Sequence, residues 1–200
     1  MKKALKIIGK ILICIIGLAI IAYLILIMAV TPSNDRNWND DQNLLPFADV
    51  STAATSTIIS IHNIRNFSYA STTSYTPAYY DKEFDLANLK RVWYVVEPFS
   101  GYAGAAHTFL SFEFASTSAA ADSDFVSISV EIRKEKGESF SAVKGLLRSY
   151  ELMYVIADEK DVVKLRSNYR KDLVYVYPVK ADKAKAQTLF LDMINRANKL

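Results

Sequence analysis

Cysteine is almost missing from this chain. Its 200 residues hold one, Cys14, which rules out a disulfide framework and a cysteine-rich metal site. Histidine is nearly as scarce. His62 and His107 are the two, and neither has a partner at ligand spacing, so we expect no metal and no cofactor. An excess of positive charge is missing from the body of the chain. The net charge is +3, but Lys2, Lys3, Lys6 and Lys10 all precede the first apolar run, and without them 20 basic residues face 21 acidic ones. No basic patch speaks for nucleic acid. Internal repeats and low-complexity tracts are missing too.

One long apolar run is present. Residues 11–30, ILICIIGLAIIAYLILIMAV, carry no charge. At 1.5 Å per residue they span a hydrocarbon core of ~30 Å. Met28, Ala29, Val30 and Thr31 make a poor cleavage site, and Ile13 is too large to precede a lipoprotein cysteine, so an uncleaved signal anchor is expected. Four lysines precede the run, while Asp35, Asp40 and Asp41 follow it. The positive-inside bias places the N-terminus in the cytoplasm and the rest outside a single-pass inner membrane. The expected division is a basic tail over 1–10, the anchor over 11–30, a linker over 31–56 and an extracytoplasmic domain over 57–200.

The domain reads as α+β, mostly antiparallel sheet with flanking helices. Strands are predicted near 57–67, 92–99, 150–157 and 173–179, and helices over 141–148, 158–166 and 182–200. In the last, Ala186, Leu189, Phe190, Met193, Ile194 and Ala197 form a stripe at helical spacing. Residues 69–84, rich in Tyr, Ser and Thr, read as a loop. Two stretches alternate strictly between apolar and polar, AHTFLSFEF (106–114) and DFVSISVEIR (124–133). Leu110, Phe112 and Phe114 share one face of the first; Val126, Ile128, Val130 and Ile132 share one face of the second. Joined as a hairpin, they keep their apolar faces together only if paired residue numbers sum to an even value. Pairing Phe114 with Asp124 puts His107 opposite Glu131. A two-residue slip puts Ser129 or Arg133 there instead.

His107 with Glu131 is therefore the candidate catalytic pair. A carboxylate beside an imidazole fixes its tautomer, and the other ring nitrogen takes a proton from a thiol or hydroxyl. The alternative is a satisfied structural histidine near an ion pair. His62, on an apolar strand, is a weaker candidate. Arg65 and Asn66 are candidate substrate-binding residues, through an anion held by the guanidinium; Arg65 could equally staple a turn to a carboxylate. Asp158, Glu159 and Asp161 read as a capped, solvated helix start. Arg133, Glu135 and Lys136 read as a solvent-facing charge run. Ser111, Ser127 and Ser129 lie on the polar sheet face, but none sits in a G-x-S-x-G elbow.

Several ordered blocks carry a resemblance: HNIRNFSY, EFDLANLKRVWYVVEPFSGYAGAAHTFLSFEF, SISVEIRKEKGESF, GLLRSYELMYVIADEKDVVKLRSN and VYVYP. Together, over about 60–200, they resemble the Lnb N-terminal periplasmic domain family. The resemblance implies a circularly permuted papain-like thiol fold and a link to bacterial lipoprotein N-acylation. In that chemistry a cysteine takes an acyl chain from a phospholipid and passes it to the α-amine of a lipoprotein. His107 matches the family's histidine, and Glu131 fits a third member by position. The family's cysteine lies in an Asn-Cys-Thr-type segment after the helix that here spans 182–200, whereas Cys14 lies in the anchor. The expectation is thus the histidine half of a thiol site, inactive as it stands, in a truncated member or one that a partner completes. Phospholipid and lipoprotein are the implied partners, with the oligomeric state open. The other reading is a non-catalytic, membrane-tethered binding or structural module.

Overall fold

The computed structural model describes residues 2–54, 56–100, 103–116 and 122–200. Part of the GYAGAA turn and most of the connection between the two alternating strands lie outside the described residues. The chain is an N-terminal apolar helix followed by an α+β domain built on one mostly antiparallel sheet.

Helix α1, Lys2–Met28, is long and apolar enough to cross a membrane. The strands are β1 (Phe47–Thr52), β2 (Thr57–Arg65), β3 (Ser68–Tyr69), β4 (Tyr75–Thr76), β5 (Tyr79–Asp85), β6 (Leu89–Pro98), β7 (Ala106–Ala115), β8 (Ser123–Arg133), β9 (Glu151–Ala157) and β10 (Tyr175–Pro178). The main sheet runs β1-β2-β9-β8-β7-β6-β10, with β5 also paired to β2. A lone parallel bridge, Arg65 to Ala157, joins β2 to β9. The central hairpin pairs Phe114 with Asp124 and Leu110 with Ile128, one of the even-sum registers that parity allows. Where a loop was expected over 69–84, the aromatic residues pair β3 with β4 and lead into β5.

Alternation gives the sheet two different faces. Helix α4, Lys183–Ala197, is capped by Asp182, whose side chain accepts from the Lys185 N–H. Its stripe packs on Ile59, Ile61, Phe112, Phe114, Val126, Ile128 and Ile156. Phe190 anchors it, edge-on to Phe112 and Phe114 with ring centroids 4.8 and 5.2 Å away. The other face is covered by α3, Glu159–Lys164, and a π-helical turn over Leu165–Arg170. There Val162 joins Val95, Phe109, Met153, Val155 and Ala157 in a second core. A short helix α2, Ala142–Leu146, links β8 to β9 and is capped by Ser141.

The stretch expected as a linker over 31–56 adds to the folded domain. It contains β1, and before it a strap that crosses the end of β8. Trp38 is buried there, with the Arg133 guanidinium 4.3 Å from its ring centre. Arg133 also donates to the backbone carbonyls of Gln42 and Asn43 at 2.9 and 2.7 Å. Arg133 is buried, which corrects the solvent-facing reading for that residue, while Lys136 is exposed. Its long stem and planar head suit stacking on an indole as well as water.

Candidate active site

His107, the second residue of β7, lies on the face opposite α4, beside Phe109. Its Nε2 lies 2.9 Å from Ser129 Oγ and 3.7 Å from Glu131 Oε1. Ser129 Oγ donates to Glu131 Oε1 at 3.2 Å. The strand period brings the three together, because Ser129 and Glu131 are two apart on β8 and point the same way. A serine has one proton to give. With that proton donated to the Glu131 carboxylate, Ser129 accepts from His107, which assigns the imidazole hydrogen to Nε2. Nδ1 is left with its lone pair as the basic nitrogen.

The electrostatics keep this imidazole neutral. Burial disfavours its cation, and the Arg166 and Arg170 guanidiniums add to that against the pull of Glu131, so its pKa lies below 6.5. Burial alone would raise Glu131, but Arg166 and Arg65 outweigh it and hold the carboxyl below its ordinary value. Glu131 is thus a fixed anion beside a neutral ring.

Arg166 is the residue that sequence reasoning missed. Its Nε donates to Glu97 Oε2 at 2.6 Å and its Nη2 to Glu131 Oε1 at 3.4 Å, while Nη1 bonds the Val162 carbonyl at 2.9 Å. Its plane lies over Phe109, 5.1 Å from the ring centre. Glu97 is Cα-paired with His107 across β6 and β7, and burial raises its pKa despite Arg166. The one sequence signal was helical spacing: Arg166 follows Val162 by four, on the side of the turn that faces the sheet.

Asp161 is a correction. Rather than solvated, it is 0% exposed. It accepts from Arg65 Nε and Nη2 at 2.9 and 3.0 Å, from the Phe67 N–H at 2.8 Å and from the Tyr69 hydroxyl at 2.9 Å. Asp158 does cap the helix, accepting from the Lys160 N–H. Glu159 is half-buried and accepts from Ser111, with its pKa raised by burial. Arg65 therefore spends two donors on a carboxylate, the staple of the two roles open to it. Asn66 follows at the end of β2 and holds the Ala78 carbonyl through its backbone N–H.

A small open cleft of about 70 Å³ lies beside the site. It is lined by Asp41, Arg65, Tyr69, Thr72, Tyr75, Glu131, Leu165, Arg166 and Arg170. Its three arginines face Asp41, Glu131 and the Asp161 held by Arg65, so it presents no large surplus of positive charge. His62 stands apart at the surface, stacked on Phe47 and 2.8 Å from Asp81. The hydrogen bond to Asp81 raises its pKa. Ser129 and Ser111 are both buried and committed to carboxylates, a poor arrangement for hydroxyl nucleophiles. Cys14, the one cysteine, is in α1. Among the described residues no group of three histidine, cysteine or acidic side chains is placed to hold a metal ion.

Residues 75–200 match the model of the Lnb N-terminal periplasmic domain family, well over half of the chain. The chain belongs to that family. No curated protein and no solved structure matches it. The Lnb match begins at β4 and takes in His107, Glu131, Glu97 and Arg166. It starts later than the resemblance over about 60–200, so Arg65 and Asn66 precede it. A periplasmic domain of this family behind an N-terminal apolar helix fits a membrane-anchored periplasmic protein.

Proposed function

We propose that this Lnb domain supplies the base of a thiol acyl-transfer site at the outer surface of the inner membrane, with the N-terminus in the cytoplasm. The observation that supports this is the relay from His107 Nε2–H through Ser129 to Glu131, which leaves Nδ1 free to accept a proton. Cys14 lies in the anchor, so the thiol comes from a partner chain or from polypeptide outside these 200 residues. In the reaction the thiol gives its proton to Nδ1, and sulfur attacks the ester carbonyl of a phospholipid. A thioester forms and the lysophospholipid leaves with the proton. The amine of a lipoprotein then attacks the thioester, forming an amide and restoring the thiol. Glu131 steadies the imidazolium formed in between. The permuted papain-like arrangement belongs to the same proposal.

For the substrate, Arg65 acts from the cleft wall, with Asn66 next to it in the chain. Arg65 is locked to Asp161 and holds that wall in place, while Tyr69, Thr72, Tyr75 and Arg170 face the ligand. The test uses cells that express the natural gene and are fed an alkyne fatty acid. A hydroxylamine-labile acyl label should appear on this protein or on a partner purified with it. With His107→Asn, the rate of transfer to lipoprotein amines should fall by about 10²–10⁴, the usual worth of a general base. An unchanged rate, or no labile label in the wild type, contradicts the reading.

A further inference from the structure

Beyond the site, one exposed apolar patch stands out for its position. Phe140, Val143 and Leu146 are 69%, 66% and 66% exposed. Val143 and Leu146, three apart, share one side of α2, and Phe140 precedes its extended Ser141 cap. Leu152, two residues into β9, is also exposed. Single exposed apolar side chains need no explanation, but a cluster at one edge of a domain marks a contact surface.

The occupant follows from where α1 meets it. The Tyr23 hydroxyl donates to the Leu146 carbonyl at 3.2 Å. Tyr23 lies five residues before the end of α1, about 7.5 Å down the helix axis. Tyrosine is characteristic of the headgroup level, and interfacial helices sit about 5–10 Å into the boundary between headgroups and acyl chains. Once α1 is inserted, α2 is at that depth.

A second set of contacts fixes the angle. The backbone N–H of Ser33 and Arg36 Nη2 both donate to Glu151 Oε1, at 2.8 and 2.9 Å. Asn34 donates to the Leu200 carbonyl and accepts from Arg133 Nη1. The strap after α1 is thus clamped to the ends of β8 and β9, which carry α2 between them. Exposed Arg148, just after α2, is placed for lipid phosphates.

We propose that α2 is a second membrane contact, with Val143, Leu146 and the preceding Phe140 inserted into the outer surface of the phospholipid bilayer beside α1. Glu131 is two residues from the end of β8, about 7 Å of strand. Docking therefore holds the His107 end of the sheet next to the lipid. The docking does not depend on acyl transfer.

The test uses the full chain in phospholipid vesicles, with an environment-sensitive fluorophore on single cysteines. One label goes on the natural Cys14. The others go on Leu146→Cys and Asp122→Cys, each with Cys14→Ser. Asp122 precedes β8 at its far end, eleven residues and about 36 Å from Arg133. Nitroxide-bearing phospholipids should quench most of the Cys14 and Leu146→Cys fluorescence. They should leave Asp122→Cys bright and open to aqueous iodide. If Leu146→Cys behaves like Asp122→Cys while Cys14 is quenched, α2 does not dock. If Cys14 is itself unquenched, α1 is not inserted and the proposal fails with it.

Discussion

His107 and His62 differ in what surrounds them, and acid separates them. The folded pKa of His107 lies below 6.5 because burial and the nearby arginines disfavour its cation. As the pH falls below 6.5, the unfolded chain takes up a proton that the folded chain refuses. The stability tied to His107 is therefore present above 6.5 and is lost as the pH falls through its folded pKa. His62 has the opposite sign. Its pKa is raised by the Asp81 hydrogen bond, so its contribution is present below 6.5 and lost as the pH rises through the raised value. Proton NMR titration of the two imidazoles should give midpoints on either side of 6.5. His107→Asn should flatten the acid-side fall in thermal midpoint, and His62→Asn should leave that fall alone. Matching midpoints would contradict the electrostatic account.

At the level of elements, the buried Arg65–Asp161 ion pair ties α3 to β2. Asp161 carries four hydrogen bonds from Arg65, Phe67 and Tyr69. Removing it leaves a buried guanidinium and a backbone N–H without their acceptor. Asp161→Ala should cost about 3–5 kcal/mol in chemical denaturation. Arg65→Met in the same chain should recover part of this, a coupling of about 0.5–3 kcal/mol in a double-mutant cycle. Simple additivity would show that the pair does not act as a unit. The strands around this pair were legible for a definite reason. Period-two alternation in 106–114 and 124–133 fixed their faces, and parity then narrowed their register to pairs whose numbers sum to an even value. The charges inside were not legible. Asp161, Arg166 and Arg133 sit in runs of acids and bases, and pattern reading assigns such runs to water. Their partners lie far along the chain: 96 positions separate Arg65 from Asp161, and 69 separate Glu97 from Arg166. No local signal reports such pairs. Strand β1 was missed because it lies at the sheet edge and is mostly exposed, leaving little alternation to see.

For the whole molecule, the reach of α4 sets what the sheet can cover. Its 15 residues span about 22 Å, and the apolar face continues past the residues it packs on. Val130 belongs to the apolar face read from the sequence, yet it is 44% exposed, and Tyr94, Leu152 and Tyr177 are exposed on the same side. Alternation tells which side chains share a face, but not how far a helix extends over them. The His107 site lies on the other face, at the end of the sheet from which α1 leaves. Anchor, strap, α2 and site therefore converge on one edge of the domain. The account of that edge rests on a neutral imidazole with Nδ1 unprotonated and Nε2–H directed at Ser129. Nitrogen-15 NMR of labelled imidazoles in the full chain, at neutral pH, tests this most directly. The account predicts that His107 shows an unprotonated Nδ1 and a protonated Nε2, and that Glu131→Gln leaves its pKa still lower. A proton on Nδ1, or a doubly protonated ring at neutral pH, would contradict it.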